Sequence, residues 1–276
     1  MVKTDYKLLQ DALRTAGRYE TPPEARPKRP ARRSALHSIR CAKVIALNII
    51  GRCSWHHVRR RLNSAKWADA CMASLNFAEG LGSVVTIEGF GQRAAHEGPV
   101  VYVSNHMSTF ETMSYPTILI TFGDIAIILK KSLADIPVVG AAARAVGCIP
   151  VTRKNARDDL KTVLEQGADR VSKGMSVLIF PQGTRRSVFE CKRFNSLGAK
   201  LAERVNVPLV PLAVQSDFLG TGKWKWLRDF GSVDPARPVR FACGPVLSPG
   251  LGAKAMHEQS VAFIAARLAS WGLPVV

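Results

Sequence analysis

From Val84 onward the chain alternates short apolar runs with longer helix-like segments, and this alternation leaves few architectures open to it. Val84–Glu88, Val100–Val103, Ile125–Leu129, Cys148–Val151, Ser176–Phe180, Leu209–Val214 and Val239–Ala242 have the length and apolar character of strands. Helices are expected near Ser108–Ile120, Val138–Ala145, Asp158–Ser172, Ser196–Val205 and Lys254–Trp271. Strands interleaved with helices bury both faces of a central sheet, so the pattern predicts an α/β fold with a mixed sheet flanked by helices. There is no internal repeat.

A chain of 276 residues that is 47% apolar can bury a full core, as one catalytic domain plus an extension. Its net charge of +18 is concentrated at one end: residues 1–66 hold sixteen Lys and Arg against four Asp and Glu, a surplus of twelve. A basic arm of this kind is drawn to anionic lipid or to nucleic acid, and composition does not choose between them. The six cysteines, Cys41, Cys53, Cys71, Cys148, Cys191 and Cys243, form no CxxC pair and no zinc-ligand spacing. They read as reduced thiols packed as small apolar groups, in keeping with a cytosolic setting. The first twenty residues lack a continuous apolar core, so no secretory signal is expected.

The arm has its own organisation. Leu8, Leu9, Ala12, Leu13 and Ala16 predict a helix over residues 5–18, and Pro22 to Arg33 reads as a mobile Pro/Arg linker. Cys41–Gly51 is nearly continuous in apolar residues. Eleven helical residues span about 16 Å, short of a bilayer's roughly 30 Å hydrocarbon core, so this is no membrane-spanning helix. Arg40, Arg52 and Arg59–Arg61 flank it, with Trp55 nearby, a composition suited to in-plane insertion beside anionic headgroups. A second helix follows near Ala65–Leu81; the alternative is that both helices cap the globular core. The expected division is 1–34, a basic helix and linker; 35–82, a helical membrane-associating segment; and 83–276, the α/β domain.

Chemistry concentrates where two strands end. After the run Pro99–Val103 comes Ser104-Asn105-His106-Met107-Ser108-Thr109-Phe110-Glu111, with an imidazole and a carboxylate five positions apart at the expected start of a helix. These are the ingredients of a general base with an orienting partner, at the kind of strand end where α/β proteins expose reactive groups. Phe180-Pro181-Gln182-Gly183-Thr184-Arg185 follows a second apolar strand. A tight turn, backbone N–H groups and a guanidinium make it a candidate phosphate-binding turn.

In order and spacing these blocks resemble those of the glycerolipid (lysophospholipid) acyltransferases, the group that includes 1-acylglycerol-3-phosphate acyltransferase. Asn105–Glu111 resembles the family's NHxSxxD block, Gly147–Arg153 its second block, Phe180–Arg185 its FPEGTR block and Val207–Leu212 its closing VPIVPV strand. Lys130-Lys131-Ser132-Leu133 with Ile136-Pro137-Val138-Val139-Gly140 resembles KxEL…IPxxG. The resemblance covers roughly residues 84–250.

It implies direct transfer of a fatty acyl group from acyl-CoA or acyl-carrier protein to a lysophospholipid hydroxyl, with 1-acylglycerol-3-phosphate the leading acceptor and phosphatidate the product. His106 would take the hydroxyl proton and Glu111 would orient and stabilise the imidazole. Arg153 and Arg185, with the Gly183-Thr184 turn, would hold the acceptor's phosphate. Lys130 and Lys131 either add charge there or remain a solvated strand terminus. No metal or tightly bound cofactor is expected, nor a nucleic-acid partner, and the enzyme would sit monotopically on the cytoplasmic face of a membrane. Glycerol 3-phosphate, another lysophospholipid or a lyso-aminolipid are the alternative acceptors. Outside the class, the rival is a non-catalytic binder of anionic membrane or nucleic acid.

Two positions depart from the pattern. Glu111 stands where the family usually has aspartate; the extra methylene moves the carboxylate by about 1.5 Å, so the helix start must shift or the carboxylate must bend back. Gln182 stands where glutamate is commoner, keeping a hydrogen-bonding carbonyl but losing the charge. Other motifs carry little. Gly89-Phe90-Gly91 is an incomplete dinucleotide fingerprint, Gly220–Lys223 lacks Walker spacing, and no GxSxG elbow is present. His56-His57 lacks a metal partner at ligand spacing, Arg186 and Arg193 are electrostatic background, and Trp224-Lys225-Trp226 is a candidate interfacial loop.

Overall fold

The computed structural model describes residues 4–27, 29, 31–222 and 231–276. Its sheet comprises β1 (Tyr19–Glu20), β2 (Val85–Glu88), β3 (Val101–Ser104), β4 (Ile125–Lys130), β5 (Ile149–Val151), β6 (Ser176–Ile179), β7 (Leu209–Gln215) and β8 (Val239–Cys243). They lie side by side in the order β1-β2-β8-β7-β3-β6-β4-β5. β1 pairs antiparallel with β2 and β7 antiparallel with β8; the remaining neighbours are parallel. The sheet is therefore mixed, as the alternation predicted, and β3 is central, flanked by β7 and β6.

Strand alternation divides the core into two layers. Val101 and Val103 of β3 face one apolar cluster, with Val163, Leu201, Met256 and Ile264 from the helices Ala156–Ser172, Leu197–Arg204 and Gly252–Ser270. Val100 and Tyr102 face the other, with Met72, Leu75, Phe110, Tyr115 and Ile118 from Ser64–Gly80 and Thr109–Leu119. Since β3 is covered on both sides, the segment following it starts from a rigid, dry base.

The arm is tied to the α/β domain at several described residues. The arm's helix forms over Tyr6–Thr15, with Asp5 accepting from the Leu8 N–H, and Arg14 donates to the Thr121 carbonyl. β1 then adds to the sheet edge, a two-residue pairing too short to carry a periodicity signal. Tyr19 Oη donates to Glu79 at 2.6 Å and the Ala31 N–H bonds the Leu81 carbonyl. Glu79 is buried; desolvation raises its pKa against the opposing hydrogen bonds from Tyr19, Thr21 and Thr4. Gly17 sits at φ +63° against Gly91, where a Cβ would approach the Gly91 nitrogen to 2.6 Å, so only glycine allows this contact.

The segment 35–82 splits into two parts of different character. Ser64–Gly80 packs on Thr109–Leu119, with Ser74 and Ser114 hydroxyls 2.9 Å apart. The preceding run is helical from Ala35 to Val58, with a π-helical stretch at Val44–Gly51. His37, Cys41, Ile45, Ile49 and Cys53 form its buried face. A strict four-residue spacing drifts by about 40° per step on an α-helix, and the wider winding of a π segment offsets that drift. Its other face exposes Leu36, Ile39, Leu47, Trp55 and Val58 among Arg40, Lys43, Arg52 and Arg59–Arg61. No helix among the described residues is long and apolar enough to cross a membrane.

Five of the six cysteines are buried and all are free thiols; burial pushes Cys41 and Cys243 up to about 12 and Cys53 and Cys148 up to about 11, leaving them protonated and inert.

Candidate active site

β3 ends at Ser104, and the next helix begins at Thr109 with Ser108 as its N-cap. In between, the Asn105 side chain is held by β7 through both of its polar atoms: Nδ2 donates to the Val214 carbonyl and Oδ1 accepts from the Val214 N–H, each at 2.8 Å. This pair locks the direction in which the chain leaves the sheet, and His106 follows.

Glu111 is the third residue of the helix, the position from which a glutamate side chain reaches back to the N-cap, and a capping box forms with Ser108. The carboxylate bends back to the N-cap, one of the two accommodations that the extra methylene allows. Glu111 Oε1 accepts from His106 Nδ1 at 2.8 Å, from the Met107 N–H at 2.7 Å and from the Ser108 N–H at 2.9 Å. Oε2 accepts from Ser108 Oγ at 2.8 Å and from the Ser216 hydroxyl. The side chain is wholly buried. Burial alone would raise its pKa, but hydrogen bonds from His106, Ser216 and Ser108, together with the His106 charge, outweigh burial and hold it below the usual carboxylate value.

With Nδ1 bound to a carboxylate, that nitrogen carries the proton and Nε2 is left as the acceptor. The Phe180 ring stacks on the imidazole at 4.4 Å between centroids. Both backbone polar groups of His106 are taken by the segment after β6: its N–H donates to Gln182 Oε1 at 2.8 Å and its carbonyl accepts from the Arg186 N–H at 2.9 Å. Three elements thus fix one histidine: β7 through Asn105, the helix through Glu111 and the 180–186 segment through the backbone.

The cations gather beside this dyad. Gly183 closes the turn at φ +68°, its N–H bonded to the Phe180 carbonyl, and Thr184 is exposed on it. Arg185 Nη1 donates to Thr109 Oγ1 at 2.5 Å, at the mouth of the helix that carries Glu111. Arg153 adopts φ +58°, a conformation that non-glycine residues rarely take, and Asp159 holds it by accepting from the Thr152 and Arg153 N–H groups at 2.8 and 2.7 Å. Desolvation first, and then the neighbouring Arg185 guanidinium, lower the Arg153 pKa from the ordinary arginine value, against the raising effect of Asp159. Two neighbouring guanidiniums have the charge and geometry to hold an anion.

A groove of about 550 Å³ runs from Arg153, Lys154 and Lys200 across Ile128, Leu160 and Leu197 to Phe180 and Gly183. Another, of about 480 Å³, is bounded by Met107, Arg185, Arg186, Asp217 and Thr221. A larger one of about 690 Å³ lies at the β1–β2 edge and shares no residue with the dyad or the arginines.

The remaining sequence expectations divide. Lys131 pairs with Asp135 on its own helical turn at 2.7 Å, and Lys130 is exposed at the end of β4; neither lines the two grooves beside the dyad. Arg186 and Arg193 both pair with Glu190. Trp224-Lys225-Trp226 lies outside the described residues. No group of three potential ligands for a metal ion occurs among the described residues. Ser216, Asp159 and Thr109 take part in the site without having been singled out. Ser216 directly follows β7, and only three-dimensional pairing brings it to Glu111.

Residues 85–215 match the sequence model of the family described as Acyltransferase. A 1-acyl-sn-glycerol-3-phosphate acyltransferase of Pseudomonas aeruginosa is 34% identical over 117 residues, 42% of this chain and 44% of that protein. A chloroplastic 1-acyl-sn-glycerol-3-phosphate acyltransferase of Brassica napus is 32% identical over 137 residues, 50% of this chain and 38% of its own length. This chain thus spans less than half the length of either relative. The crystal structure of the 1-acyl-sn-glycerophosphate acyltransferase PlsC from Thermotoga maritima superposes with a TM-score of 0.63 at 17% identity, over 86% of this chain and 95% of that one. At that identity the likeness concerns the fold, and it extends well beyond residues 85–215.

Proposed function

We propose that this chain, whose residues 85–215 form an Acyltransferase-family domain, transfers a fatty acyl group from a thioester donor, acyl-CoA or acyl-carrier protein, to the free hydroxyl of a lysophospholipid at the cytoplasmic face of a membrane. The leading acceptor is 1-acylglycerol-3-phosphate, giving phosphatidate. The observation that carries this is the buried His106–Glu111 pair at the end of β3, with Arg153 and Arg185 beside it.

An alcohol is a weak nucleophile until its proton is removed. His106 Nε2 takes that proton as the hydroxyl oxygen attacks the thioester carbonyl, and Glu111 stabilises the imidazolium that results. The C–S bond then breaks, and the imidazolium returns its proton to the leaving thiolate. Atoms and charge balance without an acyl-enzyme. Arg153 and Arg185 supply two cations for the acceptor's phosphate, so acceptor choice is set on the side of the dyad where they stand.

The test is acyl transfer in mixed micelles, with each donor offered against a panel of lysolipids and glycerol 3-phosphate, and products read by mass spectrometry. No acylated product from any pair would overturn the proposal. Arg185→Ala is expected to raise KM for a phosphate-bearing acceptor about tenfold to a hundredfold, in line with loss of a charge-assisted pair. Equal loss with a phosphate-free acceptor such as a monoacylglycerol would remove Arg185 from phosphate binding.

The exposed apolar and basic face of Ala35–Val58 supports a membrane seat. The Trp55 ring lies under the Arg59 guanidinium at 4.0 Å, an amphipathic pair suited to a headgroup layer. Replacing Leu36 and Leu47 with glutamate should weaken sedimentation with anionic vesicles at least tenfold, since each change removes apolar contact and adds repulsion. Unchanged binding would place the membrane contact elsewhere.

A further inference from the structure

We infer that Gln182 is a positioning residue for the histidine base, and that its neutral amide sets the pH range in which that base works; this rests on the acyl-transfer reading. Gln182 is buried, and its Oε1 accepts from the His106 N–H at 2.8 Å. The Arg186 N–H bonds the His106 carbonyl from the same segment, so β6 and its turn grip the histidine backbone while Glu111 grips the ring. Phe180, two residues earlier, stacks on the ring. A turn that also carries Gly183 and Arg185 therefore fixes the base and the anion site as one unit, and Gln182 is the side chain that joins them.

The choice of amide over carboxylate has an electrostatic consequence. The His106 N–H needs only an acceptor, which glutamine and a deprotonated glutamate both provide. A carboxylate would place a second buried negative charge near an imidazole that already touches Glu111. Negative charge favours imidazolium, whereas a general base acts in the neutral form. Glutamine supplies the hydrogen bond and avoids that extra charge. The ionisable groups facing this region are Glu111 and Tyr115 from the helix Thr109–Leu119, Arg185 and Arg186 from the turn, Glu190, which pairs with Arg186, Asp217 after β7, which pairs with Arg237, and Arg153 beside Arg185. None of them changes in the variants below.

Two substitutions separate the consequences. Gln182→Leu keeps the approximate volume and removes the acceptor; kcat should fall about tenfold to a hundredfold, with KM for both substrates within about threefold of wild type. Gln182→Glu restores the acceptor; its plateau kcat should stay within about fivefold of wild type, while the acid limb of the kcat–pH profile moves up by about one pH unit. Thermal melts of both proteins establish that they are folded. A Gln182→Leu enzyme as active as wild type, or a Gln182→Glu profile superimposable on wild type, would overturn the inference. Wild-type protein inactive with every donor and acceptor would overturn the acyl-transfer reading itself, a distinct outcome.

Discussion

His106→Ala should lower the rate of acyl transfer by about three orders of magnitude and leave the protein folded. General-base assistance is worth roughly 10²–10⁴-fold, and among the described residues neither adjoining groove is lined by a histidine that could replace His106. The loss should fall on kcat, because the ring contacts the reacting hydroxyl rather than the parts of the substrate that confer affinity. Removing the ring takes away the stack on Phe180 and one of the hydrogen bonds to Glu111, while the backbone bonds to Gln182 and Arg186 survive. A nearly unchanged melting temperature together with lost turnover is therefore the expected pair of results, from single-turnover assays and thermal denaturation. A variant retaining more than about a tenth of wild-type kcat would mean that another group removes the proton. His106→Gln gives a second check, since it restores bulk and polarity without a base of comparable strength.

How far the site could be read from the chain depends on whether each contact is local. The His106–Glu111 pair was legible because both residues sit within one strand-to-helix connection, and the capping-box position of Glu111 follows from its offset of three from Ser108. Gly183 was legible as a turn because its left-handed backbone selects glycine. The central sheet was legible from alternating apolar runs, but not its antiparallel pairs β1–β2 and β7–β8. Ser216, Asn105 bonding to Val214 and Gln182 bonding to His106 all join residues distant in sequence, and periodicity says nothing about which strand neighbours which. Lys131 shows another non-obvious pairing: it meets Asp135 one helical turn away at the end of β4. Single long-range contacts of the arm, such as Tyr19–Glu79 and Ala31–Leu81, likewise leave no trace in composition.

Replacing Glu111 should reveal two roles in one side chain. Glu111→Gln preserves volume, and the hydroxyls of Ser108 and Ser216 can reverse and accept from the new amide, so the fold should survive. The amide no longer stabilises an imidazolium or enforces the tautomer with Nε2 free, and kcat should drop by on the order of 10³–10⁴-fold. Glu111→Asp keeps the charge but is shorter by about 1.5 Å, so it cannot hold His106 Nδ1, the Met107 N–H and Ser216 together; a loss of at least tenfold is expected. Activity equal to wild type in the aspartate variant would show that the reach of the longer side chain is immaterial. Stability should change with pH in a definite direction. The folded-state pKa of Glu111 lies below its unfolded value, so its contribution is fully present above the ordinary carboxylate range and is lost as pH falls through the folded value. Near neutrality Glu111→Gln should be less stable by about 2 kcal/mol, the scale of charge-assisted hydrogen bonds to a buried group. Below about pH 4.5 the wild-type protein loses that advantage and the two denaturation midpoints converge. Midpoints that stay parallel down to pH 3 would mean that folding leaves the Glu111 pKa where it is in the unfolded chain, and wild-type stability that falls as pH rises would mean that the buried carboxylate is protonated in the folded protein.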